Sequence, residues 1–509
     1  MLNGKILALV VSIALVGLTR LSADEFQAGC AVVDISPRAL PAIRNGGFLE
    51  QSSSRVDDPL HARCLALSDT KQTIVLAVVD SCMIPRDVCD AIKRQAFKSS
   101  GIAPGNILIA ATHTHSAPSV MDFCLGTRKD HAYTDQLIDQ VSQGIITAAS
   151  NLRTARIGWT VIDAPEHTHC RRWLKHPSAF ATDPFGQTTV RAMMHPGYQN
   201  PEYIGPAGPV DSQLSLISVQ TREGRPICLF ANYSMHYFGA GEGFSADYFG
   251  EFAQVVEERL QPTPAPKQSE RFVALMSQGT SGDQHWMNYN QPQRSAYSRR
   301  QYSEDLATLA LNALGSIEYR NSAPLGIVET RLKLSRRMPS DARLTWAREV
   351  NATRGQRRPK DLPEVYAEQA VWLNENPSAE LVLQAIRIGE MGIAAIPNEV
   401  FGITGLKLKA QSPLQPLINI ELANGAEGYI PPSEQQALGG YTTWPARTAG
   451  LELDAEPKIV AELLTLLEQL SSKVPRRPLV NDFYNDQQRK AISTAQVDDN
   501  NRENRGLEK

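Results

Sequence analysis

Apolar runs that end in polar, chemically reactive residue types recur along the chain. Residues 73–80 read TIVLAVVD, 106–115 NILIAATHTH and 226–236 PICLFANYSMH. Residues 272–283 read FVALMSQGTSGD, 389–399 GEMGIAAIPNE and 417–429 LINIELANGAEGY. Short, uniformly apolar runs fit strands buried on both faces. Between them, residues 87–98, 133–152, 248–260, 296–317 and 458–471 place apolar side chains at i, i+3 and i+4, the pattern of helices with one buried face. Strands alternating with helices predict an α/β fold class: a layered sandwich of mainly buried β-sheets flanked by helices, in one large domain over residues 24–475. Function in open α/β sheets gathers at the carboxyl ends of strands, which is where the His, Asp, Glu and Tyr of these runs fall.

Other segments read differently. Residues 180–208 are rich in Pro, Gly, Tyr and Met without a period, and predict a long loop. Such a loop serves as a lid or pocket wall, or is a surface excursion. Residues 336–377 read as helical hairpins joined by basic, Pro-containing turns. Residues 476–509 predict a polar, disordered tail. At the other end, Lys5, an apolar run over residues 6–18 and the small residues Ser22 and Ala23 form a signal-peptide pattern over residues 1–23. The expectation is export, to the periplasm or the extracellular space, with an uncleaved N-terminal anchor as the rival reading.

Charge and cysteine usage narrow the classes. With 51 Lys and Arg against 54 Asp and Glu, the net charge of -3 argues against a nucleic-acid partner. The seven cysteines show no CxxC spacing, so a zinc knuckle or a thioredoxin-type motif is excluded. Most read as small buried apolar residues, with one or two disulfides left open.

The sharpest local signal is His113-Thr114-His115 at the end of an apolar run. On a strand, residues i and i+2 share a face, so two imidazoles are presented together, and imidazole is a common metal ligand. Two histidines in a polar loop fit the same letters. His236 closes a second run and Glu399 a third. Two His and one carboxylate with an open position is a catalytic zinc arrangement. Zinc lowers the pKa of bound water towards neutrality, and the charge developing on an attacked carbonyl needs donors. His115, Arg171, Arg172, Tyr429 and Tyr441 are the candidates.

These residues resemble, in order along residues 29–475, the neutral, non-lysosomal ceramidases. Ala111-Thr-His-Thr-His-Ser-Ala-Pro118 is similar to that family's THTHSGP segment, Asn232-Tyr-Ser-Met-His236 to its second histidine block, and Pro397-Asn-Glu399 to its PGE. Gly428-Tyr429-Ile430 is similar to its tyrosine block. The resemblance implies a single ceramidase-like zinc hydrolase domain. It would act on a ceramide-like amphiphilic lipid, with transient contact at a membrane surface. It implies Zn2+ on His113, His236, Glu399 and Tyr429, an acid/base role for His115, and carbonyl contacts from Tyr441 and Arg171. Three departures stand out. Cys170-Arg171-Arg172 replaces Asn-Arg-Ser, which leaves the choice of arginine open. Thr280 and Ser281 sit in an altered turn, and Ser119-Val120 replaces Gly-Gly, with an expected effect at the pocket mouth. Alternatives are the same metal site acting on another N-acyl amide or an ester, or a non-catalytic exported binding protein.

Overall fold

Three sheets share one apolar core. The computed structural model describes residues 25–239, 241–260, 271–471 and 483–506, with only the backbone of residues 497–506. The expected signal peptide lies outside the described residues. Among these residues, no helix is long and apolar enough to cross a membrane.

The first sheet runs Ile107–Ala111, Thr73–Val79, His61–Ser68, Gln27–Asp34, Arg153–Thr154. The second runs Val273–Gln278, Pro226–Tyr233, Gln213–Gln220, Arg156–Asp163. The third runs Leu325–Ser335, Ser378–Ile388, Met391–Ala395, Leu417–Ile420. Alternation along each strand divides its side chains between two layers. Leu65, Leu76 and Leu108 of the first sheet, Ile217, Phe230 and Leu275 of the second, and Ile386, Ile393 and Ile418 of the third meet in the central core. The opposite faces each carry a helical layer. Val75, Ala77 and Ile109 pack on the helices Arg86–Ser100 and His131–Ser150 through Ile92 and Val141. Leu216 and Leu229 pack on Asp247–Leu260 and Arg299–Ala313 through Phe252 and Leu306. Leu383 and Ala394 pack on Ala455–Gln469 through Ile459 and Leu463. The layered α/β architecture is therefore as the sequence predicts.

Helix ends follow local chemistry. The Asp130 side chain accepts from the Tyr133 amide to cap one helix, and Ser298 with Gln301 forms a capping box on another. The expected hairpin within residues 336–377 is the helix pair Asp341–Arg354 and Leu362–Glu375. All seven cysteines are buried and none is in a disulfide.

One topological fact positions the site. Each sheet contains one parallel pair: Thr73–Val79 with Ile107–Ala111, Pro226–Tyr233 with Val273–Gln278, and Met391–Ala395 with Leu417–Ile420. The six chain segments leaving these carboxyl ends run into the same region, carrying His113, His236, Ser281, Glu399 and Glu421.

Two expectations are corrected. The supposed loop at residues 180–208 contains short strands, and Ala192–Met194 and Tyr203–Pro206 flank Arg172–Lys175 in a small sheet. Its polar, Pro-rich sequence hid strands only two to four residues long. The tail expected to be disordered carries the helix Asp486–Gly506, because Ile492 and Ala495 bury against Leu174, Met194 and Ala207.

Phe230 is fully buried where the three sheets meet. Phe230→Ala should cost about 3–5 kcal/mol in denaturant unfolding. Phe97→Ala, at a side chain 48% exposed, should change stability by no more than about 0.5 kcal/mol.

Candidate metal centre

The strand bearing His113 stops at Ala111, so the pairing of His113 and His115 does not come from strand alternation. The Thr112 amide donates to the Val79 carbonyl and the His113 amide to the Ser81 carbonyl, both at 2.9 Å. These bonds hold His113 in the left-handed region, at φ 69°. Such a conformation at a residue other than glycine costs about 1–3 kcal/mol and clusters at functional sites. It brings the His113 and His115 rings edge to face, with their Nε2 atoms 3.1 Å apart. His115 also stacks on Tyr237 at 4.0 Å. Gly46 leaves room for the His115 ring, since a Cβ there would come within 2.6 Å of it.

His236 follows the second sheet's parallel pair. Its Nε2 lies 3.0 Å from His113 Nε2. The His113 Nδ1–H donates to the Cys82 carbonyl at 2.8 Å, and His236 Nδ1 faces the Ser281 carbonyl at 3.2 Å. Both rings therefore turn Nε2 lone pairs towards the same point, where two acceptors cannot satisfy one another. Glu399 opens the two-residue strand Glu399–Val400, which pairs in parallel with Tyr429–Ile430 so that Glu399 and Tyr429 are register partners. The Tyr429 hydroxyl bonds to the Glu399 carboxylate. The other carboxylate oxygen, Oε2, sits 3.3 Å from His113 Nε2 and 3.9 Å from His236 Nε2. It is buried with no hydrogen-bond donor.

Two ring nitrogens and a carboxylate oxygen that has no donor converge here as the ligands of a cation would. His113, His236 and Glu399 offer ligand atoms within 4.8 Å of one another. Burial, then the Arg171 charge and the neighbouring histidines, pushes His236 well below the ordinary histidine range. Burial, His113 and Arg171 do the same to His115. Both rings are thus neutral near pH 7, the form that binds metals.

Arg171 Nη2 lies 3.0 Å from His236 Nε2, donates to the Gly282 carbonyl at 2.9 Å and to the Tyr429 hydroxyl at 3.2 Å. Burial opposes its charge, but Tyr441, Tyr429, Tyr237 and Glu399 overcome that and hold it protonated. Arg172 turns the other way, to Gln435 and the Gly439 carbonyl, so the structure places Arg171 at the site and Arg172 outside it. Tyr441 stands against Tyr429 and Phe48, with ring centroids 5.9 and 5.5 Å away. Of the sequence candidates, all but Arg172 (His113, His115, Arg171, His236, Glu399, Tyr429 and Tyr441) line one cavity of about 290 Å³. Phe48, Met83, Leu125 and Tyr366 form its apolar side. His195, from the segment read as a loop, is also in the wall, 3.4 Å from Arg171 Nη1. Ser119 and Val120 are fully buried in the first sheet's outer core, away from the mouth where the sequence placed them.

The sequence missed Glu421. Fully buried, it accepts from the Val400 amide at 2.7 Å, the Ser281 hydroxyl at 2.7 Å and the Ser281 amide at 3.3 Å. Through Val400 it fixes the Glu399 strand, and through Ser281 the partner of His236. Its signal was present, since a carboxylate ending the apolar run Leu417–Ile420 parallels Glu399. Thr280 points instead towards Asp211.

The α/β fold is shared with solved ceramidases. The neutral ceramidase from Pseudomonas aeruginosa matches over 90% of this chain and 77% of its own, with a TM-score of 0.65 and 16% sequence identity. A ceramidase solved in complex with C2 matches over 90% of this chain and 78% of its own, again with a TM-score of 0.65 and 16% identity. No family model matches the chain, and no curated protein matches its sequence. At this identity the likeness establishes a shared fold.

Glu421→Gln turns an amide NH2 towards the donors of Val400 and Ser281. It should lower affinity for a divalent metal ion about 10- to 100-fold, read by competition with a chromogenic chelator. Unchanged affinity would remove Glu421 from the centre's support.

Proposed function

We propose that the protein is an exported, zinc-dependent amidase that cleaves the N-acyl bond of ceramide-like lipids into a fatty acid and a sphingoid base. The observation that carries this reading is the convergence of His113 Nε2, His236 Nε2 and the orphaned Glu399 oxygen beside Arg171 and two tyrosines. The shared ceramidase fold supports it. Export rests on the apolar run over residues 6–18, and transient contact with a membrane surface follows from a lipid substrate.

His113, His236, Glu399 and Tyr429 would hold the ion. Zinc supplies Lewis acidity there and lowers the pKa of the water it binds. The remaining work belongs to the chain. His115, neutral and within reach of the centre, takes a proton from the attacking water and delivers it to the leaving nitrogen. As the water oxygen bonds to the acyl carbon, negative charge grows on the carbonyl oxygen. Arg171, kept charged by its neighbours, and the Tyr441 hydroxyl donate to that oxygen. Collapse then breaks the C–N bond and restores the carbonyl. The apolar side of the cavity accommodates the acyl chain next to the amide.

Purified protein should release fatty acid from ceramide in mixed micelles, lose that activity on chelation and regain it with zinc. Tyr441→Phe should keep zinc while turnover falls about 10²- to 10³-fold. Full turnover after complete metal removal contradicts the mechanism. Cleavage of short N-acyl amines or esters with ceramide untouched would keep the mechanism and replace the substrate.

A further inference from the structure

A second cavity lies outside the metal centre. It is walled by the helix Asp486–Gly506 on one side and by the Arg172–Lys175 strand with the segment after it on the other. Its volume is about 440 Å³, within the range of small-molecule sites. Leu174, Phe180, Ile204 and Leu438 give it apolar walls. Ile204 is 40% exposed, among the few large apolar side chains left open to water.

The charged residues of its lining have one sign. Lys175, Arg191 and Lys490 line the cavity, and no lining residue is acidic. Lys175 is held by Glu202 at 2.8 Å, and an Arg191 Nη1–H donates to the Ala437 carbonyl at 2.8 Å. Lys490 is exposed on the helix. An apolar chamber with cations and no carboxylate in its lining complements an amphiphile with one anionic head.

We infer that this cavity binds the anion of a long-chain fatty acid. The chain lies against Leu174, Phe180, Ile204 and Leu438, and the carboxylate faces Lys490. This site goes beyond the amidase reading and does not depend on it, although a fatty acid is also the acyl product of the proposed reaction.

The full-length protein would be irradiated with a diazirine-bearing fatty acid and its adducts mapped by peptide mass spectrometry. Adducts should fall within residues 174–204 and 487–495 or at Leu438, and be competed by dodecanoate but not by dodecanol. Ile204→Asp puts a like charge into the chamber from an exposed position, and should weaken dodecanoate binding at least about tenfold. Its zinc content and ceramide turnover should stay unchanged. Adducts confined to peptides carrying His113 or His236 would overturn the proposal. So would equal competition by dodecanol, displacement by anionic phospholipid vesicles alone, or unchanged dodecanoate affinity in Ile204→Asp. None of these outcomes depends on whether ceramide is cleaved.

Discussion

Two imidazole nitrogens and a donorless carboxylate oxygen are pressed together, nearly fully buried, in the wall of one cavity. This is the constraint on which the rest of the structure depends. Such an arrangement is costly by itself, because buried acceptors need donors or a cation. Nothing local holds it. His113 follows a strand of the first sheet, His236 one of the second, and Glu399 one of the third. They meet because the three sheets bury one common core and each sends a parallel pair in the same direction. The large apolar core is thus the device that brings three polar ends to one point.

The ends are then fixed by atoms that have no chemistry of their own. The Cys82 and Ser281 carbonyls orient the two rings. Glu421 ties the Glu399 strand to the turn that faces His236. Such outer contacts set ligand orientation and basicity. Around them the charges oppose one another. Burial, reinforced by the Arg171 charge, keeps His236 neutral, while the tyrosines and Glu399 keep Arg171 charged. A cation at the lone pairs fits this balance, since it supplies the positive charge that the carboxylate lacks.

Much of this was legible in the sequence. Strands buried on both faces appear as unbroken apolar runs, and the residues closing those runs are the residues of the site. The reason given for His113 and His115 was nevertheless wrong. A left-handed turn after Ala111 pairs the rings, and a turn conformation leaves no periodic trace. The strands Leu325–Ser335 and Arg156–Asp163 went unread because their half-exposed faces break the apolar run. Glu421 was passed over because a carboxylate's partners are set by tertiary contacts rather than by spacing. The choice between Arg171 and Arg172 also needed coordinates, because neighbouring side chains diverge according to the local strand geometry. The helix at residues 486–506 is polar enough to read as a tail, and only the few apolar side chains on one face dock it.

The most direct test of the account is anomalous diffraction at the zinc edge from crystals of the zinc-loaded protein. The account predicts one strong peak per chain, about 2.0–2.2 Å from His113 Nε2, His236 Nε2 and the Glu399 carboxylate, on the side facing Tyr429. No peak there at saturating zinc, or a peak held by other residues, would contradict it.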